Sequence, residues 1–172
     1  MKLKELLEKH QDLELTEEQE KEIKKFLNIK DNKRWKAEGN EEYWYINSCG
    51  DVDTDECCNI TAFVDEYRYF LNNMFKTKEE AEFRLEQIKV YNELKNFADE
   101  NNDEIDWRDP TQAKWLLYLS CENMKVSPAV WYSVDFLGTI CFSKKELALL
   151  AIEIVGEDRI KKYLFNIKEE NK

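Results

Sequence analysis

Two stretches of this chain hold residues whose types and spacing suggest chemistry. Asp51-Val52-Asp53-Thr54-Asp55 sets three carboxylates at alternate positions, as at the start of a calcium loop. Such a loop needs a glycine at its sixth position and a bidentate glutamate at its twelfth. Here those positions hold Glu56 and Ala62, so calcium is not expected. Cys49, Cys57 and Cys58 are thiols, but zinc sites pair their ligands two to four residues apart and back them with a second pair. The single histidine, His10, lies far away in sequence and serves neither as a ligand nor as the base a cysteine nucleophile requires. No glycine-rich phosphate loop is present, and none of the many carboxylate pairs is singled out for acid–base work. The chain therefore reads as neither an enzyme nor a cofactor protein, and no metal is expected.

What remains is charge. The formal net charge is -11, and the acid is concentrated. Residues 41–66 hold Glu41, Glu42, Asp51, Asp53, Asp55, Glu56, Asp65 and Glu66 without a lysine or arginine. Residues 97–110 hold six more acids against Arg108. Such a field repels nucleic-acid phosphates and anionic membranes and favours a basic partner. Alternate residues of a strand stand about 6.6–7 Å apart on one face, so Asp51, Asp53 and Asp55, if extended, imitate a row of backbone phosphates. Trp44, Tyr67 and Tyr69 lie among these acids and are of the type that dominates protein interfaces. The candidate partner-binding residues are therefore Asp51, Asp53, Asp55, Glu56, Asp65, Glu66, Trp44, Tyr67 and Tyr69.

The elements that position them follow a pattern used twice. An aromatic extended segment (Tyr43–Ile46, then Trp115–Leu119) leads to a phenylalanine and a Ser/Thr-Lys-x-Glu helix start (Phe75-Lys76-Thr77-Lys78-Glu79-Glu80; Phe142-Ser143-Lys144-Lys145-Glu146). Tyr43–Ser48 reads as a strand, 49–51 as its turn and 52–62 as a returning strand. Residues 64–71 fit either a strand (Tyr67, Tyr69, Leu71) or a helical turn (Phe63, Tyr67, Phe70), and Met74-Phe75 a short strand. Thr77 caps a helix to about Asp99 with Ala81, Leu85, Ile88, Tyr91, Leu94 and Phe97 as its stripe. Trp115–Leu119, Val130–Val134 and Thr139–Phe142 read as three strands. Ser143 then caps an apolar helix, expected to be buried on more than one side and ended by Gly156.

Thr16-Glu17-Glu18-Gln19 is a capping box, and residues 1–30 read as an N-terminal helical hairpin. The expected fold is α+β: two strand-strand-strand-helix units (41–99 and 113–167) sharing one antiparallel sheet with both helices on one face, plus that hairpin, together one compact domain. No stretch reaches the ~18 apolar residues of a membrane span and the N-terminus lacks a signal region. The odd number of cysteines suits a reducing compartment. A cytoplasmic protein is expected.

Lys33-Arg34-Trp35-Lys36-Ala37-Glu38, the Tyr43-Trp44-Tyr45-Ile46 strand, Asn73 to Glu82 and the closing Val155 to Tyr163 resemble a family of uncharacterised proteins from phages and prophages of Firmicutes. Where that family carries a glycine before its Asn-x-Phe, this chain has Asn72, and the turn is expected to differ. The resemblance implies a phage accessory protein, for which an anti-CRISPR-like inhibitor is the leading expectation. It would bind a basic host nucleic-acid-binding protein or nuclease one to one, without touching nucleic acid itself. Two alternatives stand beside it: a self-associating structural or regulatory protein, such as a homodimer, and a small-molecule- or nucleotide-sequestering protein with a pocket around Arg68, Trp44 and Tyr118.

Overall fold

A computed structural model describes residues 34–57, 62–132 and 138–167, with Thr16, Glu18, Glu22 and Phe26 besides. The chain divides into two compact units, Met1–Trp35 and Lys36–Lys172. The N-terminal hairpin expected over residues 1–30 lies outside the described residues apart from those four positions, of which Glu18, Glu22 and Phe26 are helical.

The unit Lys36–Lys172 is α+β. Strands β1 (Glu42–Ile46) and β2 (Val52–Glu56) form an antiparallel hairpin with Tyr43 opposite Asp55 and Tyr45 opposite Asp53. Its turn is held by the Asn47 carboxamide, which accepts from the N–H groups of Cys49 (2.9 Å) and Asp51 (3.0 Å). Gly50 there takes φ 82°, a conformation open to glycine at no steric cost. The ambiguous stretch is helical: α1 spans Ala62–Phe70. It ends on Asn72 at φ 57°, the left-handed region a glycine would enter freely and asparagine tolerates.

The expected strand at Met74-Phe75 contracts to one bridge, Phe75 exchanging two 2.9 Å backbone bonds with Trp44. Helix α2 (Lys78–Asn101) begins at Thr77, whose hydroxyl accepts from the Glu80 N–H, while the Glu80 carboxylate accepts from the Lys76 N–H. Its fully buried line is Ala81, Val90, Leu94 and Ala98. That line is rotated from the expected stripe, so Ile88 stays partly in solvent.

The second sheet has the order β4-β3-β5, all antiparallel: β3 is Lys114–Leu119, β4 Val126–Trp131 and β5 Cys141–Phe142. Strand β4 therefore begins earlier than the Val130–Val134 expected and contains Pro128. Helix α3 (Lys145–Val155) ends at Gly156 (φ 95°), and a short α4 (Glu157–Arg159) runs into a wide π-type turn over Ile160–Leu164. The core lies where Val90, Leu94 and Ala98 of α2 meet Ala148, Ala151 and Val155 of α3, with Val126, Phe142 and Ile160. Trp115, Leu117 and Leu119 line that side of β3.

Three expectations are corrected here. Ser143 does not cap α3; its hydroxyl accepts from the Asp103 N–H (3.0 Å) and so holds the acidic connector. Helix α3 is buried on one side only, since Leu149, Leu150 and Ile154 are exposed. Its small residues Ala148 and Ala151 let it approach α2 closely, and among the described residues nothing covers the far side.

The single continuous sheet is also overturned, because strand edges that would have to join are already filled. The Asn73 carboxamide bonds both the N–H and the C=O of Ile46 (2.8 Å each), closing β1 beside Phe75. The Asn102 carboxamide does the same for β5, taking Cys141 C=O (2.7 Å) and Ser143 N–H (2.8 Å). On β4, the Val126 N–H turns away from β3 to the Glu157 carboxylate (3.0 Å), and Pro128, two residues on and so facing the same way, has no N–H to offer.

Candidate protein-binding surface

The hairpin's backbone bonding decides what β2 offers to solvent. Cys57 N–H donates to Glu41 C=O and Asn47 N–H to Asp51 C=O. Antiparallel bonding alternates, so residues 51, 53, 55 and 57 address β1 while Val52, Thr54 and Glu56 turn their backbone groups outward. Two of the outward N–H groups are then taken up locally: Thr54 N–H by the Asp53 carboxylate and Glu56 N–H by the Asp55 carboxylate, both at 2.9 Å. The outward carbonyls of Val52 and Thr54 have no partner among the described residues. The Val52 N–H, next to the turn, has no partner among the described residues. The free edge of β2 is therefore mostly an edge of acceptors, carbonyls and carboxylates, with one open donor at its turn end.

The Tyr43/Tyr45 face of the hairpin receives α1 by that helix's polar side. Tyr43 is fully buried and its phenol donates to Asp65 Oδ1 (2.6 Å) while accepting from Arg68 Nη1 (2.5 Å). The same Arg68 nitrogen donates to Asp55 Oδ2 (2.5 Å), and the guanidinium stacks 3.5 Å from the Tyr45 ring centroid. Burial, reinforced by the hydrogen bond to Asp65, pushes the Tyr43 phenol well above its ordinary pKa, so it stays protonated. With Asp65 and Arg68 turned in, α1 turns its apolar side out: Phe63 is 73% exposed, Phe70 79%, Leu71 66% and Tyr67 52%. Phe63 and Tyr67 pack edge to face at 4.6 Å.

The sequence-derived site residues divide accordingly. Asp53 and Glu56 are exposed on β2 and Asp51 in the turn before it, so the three-acid row is not one continuous strand. Asp55 is neutralised by Arg68, Asp65 is buried, and Glu66 pairs with Lys36. Trp44 lies on the opposite hairpin face, 5.9 Å from the Lys78 ammonium, and half-buried Tyr69 lies 5.2 Å from Lys36. Tyr67 belongs to the outward side of α1 together with Phe63, Phe70 and Leu71, which the list of candidates omitted. Their helical spacing was visible; the inversion of the helix was not. The pocket imagined around Arg68, Trp44 and Tyr118 does not form, because Trp44 and Arg68 occupy opposite hairpin faces and Tyr118 is in the other sheet.

A groove of about 670 Å³ runs between the hairpin turn, the first half of α2 and Lys162-Tyr163. Its charges cancel in part through Lys78–Glu82 (3.3 Å) and Lys89–Glu86 (2.8 Å). Among the described residues there is no cluster of His, Cys, Asp or Glu fit to hold a metal ion, and no helix long and apolar enough to cross a membrane. Cys49 and Cys121 are exposed thiols on turns. Compared with protein-family models, curated proteins and solved structures, the chain matches none.

Proposed function

We propose that this chain is a small acidic binding protein that engages a basic nucleic-acid-processing protein one to one and blocks it, in the manner of a phage inhibitor of a bacterial defence nuclease. The observation that carries the reading is the free edge of β2. An edge of carbonyls and carboxylates suits the ammonium and guanidinium donors that line a nucleic-acid groove. It disfavours pairing with another strand, whose carbonyls would find one open N–H, that of Val52, at the turn end. A net charge of -11 adds long-range steering toward such a partner. No step of bond making is involved; inhibition is occupancy.

The test is a cleavage assay. Purified defence nucleases are titrated with the protein, and inhibition of one of them is expected to be complete at one equivalent and relieved by added salt. Turnover-like inhibition at far lower ratios, or none with any basic nuclease, contradicts the proposal.

Self-association is the second reading, and one observation favours it: Leu149, Leu150 and Ile154 of α3 are exposed. It predicts a dimer in light scattering that Leu150→Asp or Ile154→Asp dissociates.

A further inference from the structure

An amphipathic helix on a protein surface ordinarily turns its apolar side inward. Helix α1 does the reverse, and the reason is local. Asp65 is 2% exposed and bonded by the Tyr43 phenol, and Arg68 bridges Tyr43 and Asp55. Rotating the helix to bury Phe63 and Phe70 would pull Asp65 and Arg68 from these partners and strand the Tyr43 hydroxyl. The polar side is thus fixed, and Phe63, Tyr67, Phe70 and Leu71 are held outward as a ridge at positions i, i+4, i+7 and i+8. Large aromatics in one exposed, ordered row are a mark of an interaction surface.

We infer that this ridge is the apolar anchor of the interface, and that its occupant is a protein surface with an apolar recess rimmed by lysine and arginine side chains. The inference rests on the acidic-binder reading and adds a second kind of contact to it. Charge complementarity names the rim. Arg68 ties α1 directly to Asp55, so the helix that bears the ridge is fixed on the hairpin that bears the β2 edge. Asp53 brings an exposed carboxylate to the hairpin face on which α1 sits, and the chain as a whole carries -11. A second copy of this chain would bring like charge against like, and a recess with an acidic rim would be repelled in the same way. Phe63 and Phe70 supply area at little cost in conformational freedom, since each has two side-chain torsions and Phe63 is already positioned by Tyr67.

The experiment uses the full chain and three synthetic helical peptides of equal length: an amphipathic Leu/Lys peptide, a Ser/Lys peptide of the same charge and a Leu/Glu peptide. The Leu/Lys peptide is expected to bind about tenfold or more tighter than the Ser/Lys peptide, and the Leu/Glu peptide not to bind. Phe63→Ser with Phe70→Ser should erase the preference for leucine while leaving Ser/Lys binding and its salt dependence intact. Both positions are more than two-thirds exposed, so the variant keeps its fold, checked by circular dichroism. Equal affinity for Leu/Lys and Ser/Lys, a preference that survives in the double variant, or binding of Leu/Glu as tight as Leu/Lys overturns the inference. So does a wild-type dimer that the double variant dissociates, which would give the ridge to a second copy. The acidic reading fails on a different arm, if Ser/Lys binding is absent or indifferent to salt while the leucine preference is still read from the other peptides.

Discussion

Tyr43, Asp65, Arg68 and Asp55 show how little formal charge says about a residue's task. Eight acids between residues 41 and 66 look alike in sequence, yet Asp65 and Asp55 serve the fold and Asp51, Asp53 and Glu56 face solvent. The difference is a tertiary partner, a phenol or a guanidinium, about which the count of acids is silent. Tyr43→Phe removes a donor from a buried carboxylate and an acceptor from Arg68, and is expected to lower stability by about 1–3 kcal/mol, read as a lower urea midpoint at unchanged slope. Asp53→Asn, on an exposed side chain, should stay within about 0.5 kcal/mol of the parent. The raised Tyr43 pKa has a signed consequence. Its stabilising effect is fully present below the ordinary tyrosine value of about 10 and is lost as pH rises above it, because the unfolded chain then releases the phenol proton first. Alkaline melting should therefore begin near that pH, and the Tyr43→Phe variant should show a flatter profile there.

At the scale of elements, the legible parts were those written in local chemistry. The Thr77 cap, the long α2, the Gly156 stop, the β1 turn and strand β3 follow from capping residues, turn residues and alternation, whereas β4 begins four residues before its expected start. The join between the two sheets was not legible, because it is prevented by two side-chain amides acting as strand substitutes. Nothing in the spacing of Asn73 or Asn102 distinguishes such a role from an ordinary turn asparagine. The inversion of α1 was hidden for the same kind of reason. Periodicity shows that a helix has an apolar face and says nothing of which face the rest of the molecule takes. Asn102→Ala should expose the Cys141 carbonyl and the Ser143 N–H at the edge of β5 and cost about 1–3 kcal/mol, measured as a fall in thermal midpoint.

Across the whole molecule, the same charge should act with opposite signs on folding and on binding. A chain of net charge -11 repels itself, so added salt should raise its thermal midpoint while weakening its hold on a basic partner. Acid acts through a few placed carboxylates. Glu157 is held below the usual glutamate range by Lys161 and by the Val126 N–H, and Glu93 by Arg159. Carboxyls with lowered folded pKa values contribute stability above the ordinary value of about 4.3, which is lost as pH falls below it, since the unfolded state takes up protons first. Thermal midpoints should decline from about that pH downward, and Glu157→Gln should flatten the decline. The central claim is the acceptor edge of β2, and it is tested most directly by capture on the immobilised protein from a bacterial lysate at low and high salt, comparing the parent with a variant carrying Asp51→Asn, Asp53→Asn and Glu56→Gln. The account predicts that the parent retains one basic nucleic-acid enzyme in equimolar amount, that high salt releases it and that the variant fails to hold it. Recovery of the same partner by the variant, or of nothing beyond the protein itself, would contradict the account.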